Sequence, residues 1–130
     1  MNRARRQLLA ACVVAVGAVA CANNLSVANI QTGRSLNSDK SVGTLTTAFK
    51  PNDTIYVSVL TEGSGSGTIG VKFSFQGRVI SDPEKKVSYR GAAATEFHIE
   101  YSGGFPSGEY DIEVLFNGQP AGMRKIRVEP

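Results

Sequence analysis

The chain has 130 residues, with 14 Lys+Arg against 11 Asp+Glu and a formal net charge of +3. Arg3, Arg5 and Arg6 stand ahead of an uncharged run from Gln7 to Val27, and without them 11 basic residues balance 11 acidic ones, which excludes a nucleic-acid footprint. The length suits one domain, and one His, two Cys and no Trp leave little material for catalysis or for holding a cofactor; none is expected.

Residues 1–20 have the three parts of an export signal. The three arginines make a positive start, Leu8 to Val19 make an apolar run, and Gly17-Ala18-Val19-Ala20 supplies small residues before Cys21. The apolar run is shorter than the roughly 18 to 20 residues a membrane-spanning helix needs, so a cleaved leader is expected. Ala18-Val19-Ala20-Cys21 resembles a bacterial lipobox, with Ala18 where Leu is commoner. That resemblance implies cleavage between Ala20 and Cys21 and a lipid on Cys21, and Ala22 in place of Asp resembles sorting to the outer membrane. Ala18-x-Ala20, or Ala20-x-Ala22, is also an ordinary small-residue cleavage site, so a soluble periplasmic or secreted product stays open. Leu9-Ala10-Ala11-Cys12 leaves too short an apolar run after Arg6 to serve instead. Arg5-Arg6-Gln7-Leu8-Leu9 resembles a twin-arginine export core, so the export route stays open as well. Once Cys12 leaves with the leader and Cys21 is lipidated, the folded domain has no thiol and no disulfide, and core burial alone must stabilise it.

The mature chain divides into residues 21–24, the lipidated Cys and a short tether, and residues 25–130, the folded domain. Leu25–Ile30 and Thr44–Phe49 are weak strand candidates, and the Ser/Asn-rich segment Gln31–Gly43 between them reads as a long loop, the alternative being that Ala22–Gly43 is one flexible tether. From there the polarity alternates with period two, which is the pattern of half-buried strands. Thr54–Leu60 sets Ile55, Val57 and Val59 against Tyr56, Ser58 and Leu60. Thr68–Gln76 sets Ile69, Val71, Phe73 and Phe75 against Gly70, Lys72, Ser74 and Gln76. Val87–Tyr89 is weaker. Thr95–Tyr101 places Phe97, Ile99 and Tyr101 inward, with Glu96, His98 and Glu100 outward. Glu109–Phe116 places Tyr110, Ile112, Val114 and Phe116 inward, and Met123–Val128 closes the chain. Loops are expected at Pro51–Asp53, Glu62–Gly67, Ser81–Lys86, Ser102–Gly108 and Asn117–Gly122.

Seven or eight short strands with one apolar and one polar face predict an all-β antiparallel sandwich. A closed barrel is the alternative this pattern leaves open. Gly108-Glu109-Tyr110-Asp111-Ile112 resembles the G-x-Y-x-C segment of immunoglobulin domains, with Ile112 in the place of Cys. The resemblance implies an immunoglobulin-like fold whose Tyr110 hydroxyl bonds back to the backbone at a strand corner. The family's Cys pair and core Trp are absent here, which leaves the fibronectin-like version of the fold. Phe105-Pro106-Ser107-Gly108-Glu109-Tyr110, closed by a last hairpin, is similar to small bacterial lipoproteins built from one such sandwich. In that hairpin a loop from Asn117 to Ala121 would pair Ile112 with Ile126 inside, and Glu113 with Lys125 and Asp111 with Arg127 outside. Arg124 would then point inward without a partner.

Three features are candidates for function. Gly65-Ser66-Gly67-Thr68-Ile69-Gly70 matches G-x-G-x-x-G but leads into a strand, where no helix end is available for a phosphate, and reads as a hairpin loop. Glu96-x-His98-x-Glu100 puts an imidazole between two carboxylates on one strand face, a start for a metal site or proton chemistry that lacks a second His or Cys. No Ser–His–Asp arrangement with a nucleophile elbow is present. Sandwich loops gather at two ends and carry recognition, so the glycine-flexible segment Gly103-Gly104-Phe105-Pro106 is the candidate binding loop, the alternative being a Phe105 that folds back onto the core. The sequence thus predicts a non-catalytic lipoprotein anchored in the outer membrane and facing the periplasm, whose partner is another envelope protein or a glycan. A soluble binding protein or inhibitor, and a metal or enzymatic protein centred on His98, are the competing expectations.

Overall fold

A computed structural model describes residues 23–130. The leader, its cleavage site at Ala20 and Cys21 lie outside the described residues. Nine strands run in chain order: β1 Ser26–Gly33, β2 Ala48–Phe49, β3 Ile55–Glu62, β4 Gly65–Phe75, β5 Arg78–Ser81, β6 Glu84–Tyr89, β7 Ala93–Ile99, β8 Gly108–Phe116 and β9 Gln119–Val128. They form two sheets, one ordered β1-β3-β7 and the other β2-β9-β8-β4-β5, with β6 also pairing β4. The expected sandwich is what forms. Alternation explains it: Ile55, Val57 and Val59 of one sheet and Ile69, Val71, Phe73, Ile112 and Val114 of the other are buried together. At roughly 25 cal/mol per Å² of apolar surface, that shared interior is the main stabilising term in a domain without a disulfide.

Several boundaries differ from expectation, each for a physical reason. The loop expected over Glu62–Gly67 is only Gly63-Ser64, because β4 starts at Gly65. The G-x-G-x-x-G stretch is therefore strand, not loop. The loop expected over Ser81–Lys86 is instead an edge strand in two pieces. Gln76-Gly77, at φ 53° and 78°, turns the chain into β5, and β6 continues along β4 after a break at Asp82-Pro83. Proline cannot donate to a ladder, so the break falls where an edge strand tolerates it. The strand expected over Thr44–Phe49 shrinks to Ala48–Phe49, which pairs parallel to β9 and carries the chain from the first sheet to the second.

The segment between β1 and β2 does not hang free. It folds over the outer face of β3, where the Ser58 hydroxyl donates to Lys40 O at 2.8 Å and Val42 N donates to Gln31 Oε1 at 3.0 Å. Ser58, expected in water, is buried for this reason.

The last hairpin turns on two residues, Asn117-Gly118 at φ 51° and 83°, rather than five. These left-handed conformations match the twist of paired strands and suit Asn and Gly. A bulge at Ala121 follows, since Leu115 pairs Pro120 while Val114 pairs Gly122. The bulge restores face matching: Tyr110 opposes Ile126 inside, and Asp111 opposes Lys125 outside. The register is displaced by two residues from the expected one, which preserves each side chain's face and changes its partner. Outer ion pairs form between Asp111 and Lys125 at 2.9 Å, Glu109 and Arg127 at 3.4 Å, and Lys72 and Glu113 at 3.9 Å. Arg124 finds its partner at the seam between sheets, donating to Asn29 Oδ1 at 3.0 Å.

Candidate functional site at the loop end of the sandwich

Tyr110 organises this end. Its place on the inner face of β8 buries the ring, and its hydroxyl donates to Pro106 O at 2.6 Å, four residues upstream. This is the backbone bond the immunoglobulin-like resemblance implies for the tyrosine. Burial, followed by the neighbouring Tyr101, pushes the Tyr110 hydroxyl above its ordinary pKa, so it stays a donor throughout the physiological range. Its ring stacks on Phe75, centroids 4.5 Å apart, and meets Phe105 edge-on at 5.9 Å. Such aromatic pairs add about 0.5 to 1.5 kcal/mol beyond the area they bury.

The segment between β7 and β8 is held at both ends. Gly104 N donates to Tyr101 O at 2.9 Å and Phe105 N to Pro51 O at 2.8 Å, which ties it to the turn ahead of β3. Gly103 and Pro106 are exposed, Gly104 is half-buried, and Phe105 is only 4% exposed. Of the expected binding loop, Phe105 therefore folds back onto the core, as the core-capping alternative has it. A correction applies to Tyr101: β7 ends at Ile99, and Tyr101 stands beyond the strand, 57% exposed. A residue past the last ladder pair is no longer held to the sheet's alternation.

The site that results is a cleft of about 460 Å³ between the two sheets, walled by Phe75, Ile80, Ile99, Tyr101, Phe105 and Pro106. Glu100 and Ser81 add polar atoms to its lining. Size and apolar walls with a few polar groups are the usual character of a binding site. Ile80 carries no strand signal in the sequence, because Val79-Ile80 falls between the strand expected to end at Gln76 and the loop expected from Ser81. The available signal was an apolar pair between Gly77 and Pro83, with both residues more than two-fifths exposed in the fold.

His98 lies elsewhere, on the outer face of the three-stranded sheet. Its Nδ1 meets Glu96 Oε2, and its ring lies 5.6 Å from that of Tyr56. Lys85 reaches Glu96 from β6 and bonds both its carbonyl and its carboxylate. Partial burial works against the Glu96 carboxylate, but the His98 hydrogen bond and the Lys85 charge outweigh it and hold the carboxyl below its usual pKa. Glu100 belongs to the cleft lining and not to the Glu96–His98 pair. Among the described residues no group of three His, Cys, Asp or Glu side chains is gathered for a metal.

At the opposite end of the sandwich, the first described residues are bonded to the turn between β3 and β4. Asn24 N donates to Ser64 O at 3.0 Å, Ser64 N donates to Asn24 Oδ1 at 2.7 Å, and Asn23 Nδ2 donates to Ser66 O at 3.0 Å. Asn23 and Asn24, expected as tether, are thus part of the folded body.

No protein-family model matches the chain, and no curated protein matches it. Among solved structures, the fold is similar to an immunoglobulin-like protein from Pseudomonas aeruginosa, 15% identical, with a TM-score of 0.56 over 85% of this chain and 100% of that one. It is also similar to part of a β-glucosidase from Listeria innocua solved with glucose, 10% identical, with a TM-score of 0.52 over 78% of this chain. The chain spans 16% of that enzyme's length. At these identities the likeness is one of fold, and the described chain is an immunoglobulin-like β-sandwich.

Proposed function

We propose that the protein is a non-catalytic lipoprotein of the bacterial envelope, a binding or assembly module anchored in the outer membrane through Cys21 and facing the periplasm. The observation that carries this reading is the stretch Ala18-Val19-Ala20-Cys21, which follows a basic, apolar leader and ends two residues before Asn23, the first described residue. A diacylated cysteine holds firmly where a single chain would not, at about 0.8 kcal/mol per buried methylene. The cleft beside Tyr101 and Ile80 is the contact surface in this reading, and its partner is another envelope protein or a glycan. Exposed Tyr and Ile around a cleft supply apolar area at low ordering cost.

Metabolic palmitate labelling tests the anchor. The wild-type protein takes up label and fractionates with the outer membrane, and Cys21→Ala abolishes both. Unlabelled protein cut after Ala20 and free in the periplasm would favour the soluble binding protein or inhibitor instead.

A further inference from the structure

We infer that the domain stands upright on the bilayer with the β3–β4 turn against the lipid surface, which holds the aromatic cleft about 35 Å away and facing outward. This inference rests on the lipid anchor at Cys21. Its structural ground is the hydrogen bonding of Asn23 and Asn24, which ties the chain to the fold within two residues of the anchor.

From Cys21 to Asn23 is two residues, a reach of at most about 7 Å. Asn23 and Asn24 then make three hydrogen bonds to Ser64 and Ser66. Two glycines make room for them. Gly63 has φ 85° and a Cβ there would lie 2.2 Å from Asn24 O, while Gly65 has φ 141° and a Cβ there would lie 1.6 Å from Asn23 Oδ1. Both conformations are ones glycine adopts without strain. Other turns share this end: Gly65 pairs Tyr89, which brings the Arg90-Gly91-Ala92 turn alongside, and Asn117 bonds Thr68. The surface facing the lipid is accordingly polar, bordered by the exposed charges of Arg90 and Glu62. Uncharged amides and hydroxyls suit a headgroup layer, which offers hydrogen bonds and charges of both signs.

The other end is fixed by the strands. β4 has 11 residues from Gly65 to Phe75, about 35 Å at 3.3 Å per residue, and Phe75 lines the cleft. A partner therefore reaches the cleft from the aqueous space and not from within the membrane plane.

The absence of cysteine after Cys21 makes the test clean. A donor dye is placed on Ala92→Cys at the near end or on Ser107→Cys at the far end, both exposed positions. The lipidated full-length mature proteins are reconstituted in vesicles of phosphatidylethanolamine and phosphatidylglycerol carrying a headgroup-linked acceptor. The expected result is several-fold stronger energy transfer from position 92 than from position 107. A long Gly-Ser insertion between Ala22 and Asn23 should bring the two signals together. Lipidated, vesicle-bound protein that gives equal transfer from both positions overturns the upright seating and leaves the anchor standing. Protein that carries no lipid and stays off the vesicles overturns both.

Discussion

Tyr110 at the cleft and Asp53 in the turn ahead of β3 show how single side chains fix local geometry. Tyr110→Phe keeps the stacking on Phe75 but removes the bond to Pro106 O. The expected loss is about 1 kcal/mol in chemical denaturation, because one hydrogen bond goes and no large cavity is made. A loss near zero would mean that the corner bond contributes nothing. Asp53 accepts from Lys50 N and from Arg34 Nε, both at 2.8 Å. Desolvation raises its pKa, and the Lys50 amide and Arg34 more than reverse that, so the folded pKa lies below the ordinary value. A depressed carboxyl contributes stability that is fully present above the unfolded value near 3.9 and is lost as pH falls through the folded one. Asp53→Asn should therefore flatten the decline in stability below about pH 4, read from urea midpoints across pH. An unchanged slope would remove Asp53 from the acid response. At this scale the sequence was readable where a motif names the residue: Gly108-Glu109-Tyr110 announced the corner. It was silent on Ser58, whose burial depends on a loop reaching it from 18 residues upstream.

Among the elements, strands buried on one face were legible and edges were not. β3, β8 and the Thr68–Phe75 part of β4 carry alternation, and each of the three strands lies beside a strand on both sides. β5 has only four residues, with Val79 and Ile80 exposed, so no inward–outward rhythm identifies it. β2 is defined by two bonded residues and by the core position of Phe49. The final hairpin teaches a related lesson. Face preference restricts a register to steps of two, and only the turn chemistry chooses among those steps. Asn117-Gly118 was the deciding signal, and the bulge at Ala121 let it coexist with matched faces. Gly118→Val, at φ 83°, should lower stability by about 1 kcal/mol or more in thermal or urea unfolding, since a branched side chain is strained there. A neutral result would show that the turn relaxes to another type.

For the molecule as a whole, stability must come from the shared interior. No cysteine lies among residues 23–130, so a reducing agent should leave the melting temperature unchanged. A drop on reduction would reveal a covalent link through Cys21 that the lipid reading forbids. Phe73→Ala removes a ring that is 1% exposed at the centre of the sandwich. The expected cost of about 3 to 5 kcal/mol is a large part of the total for a domain this size and should shift the urea midpoint strongly. The cleft was the least legible feature, because its walls come from the end of β4, from β5, from the end of β7 and from the loop before β8. Only the Phe105-Pro106 segment stood out in the sequence; Phe75, Ile80 and Ile99 carry no motif that links them to it, and only the fold brings them together.

The measurement that bears most directly on the proposed role is photo-crosslinking in living cells from a benzophenone amino acid placed at Tyr101, beside the cleft, and at Lys72, on the outer face. The account predicts a discrete adduct from position 101 that Ile80→Asp abolishes, and none from position 72. No adduct at 101, or the same adducts from both positions, would contradict a binding role for this end of the domain.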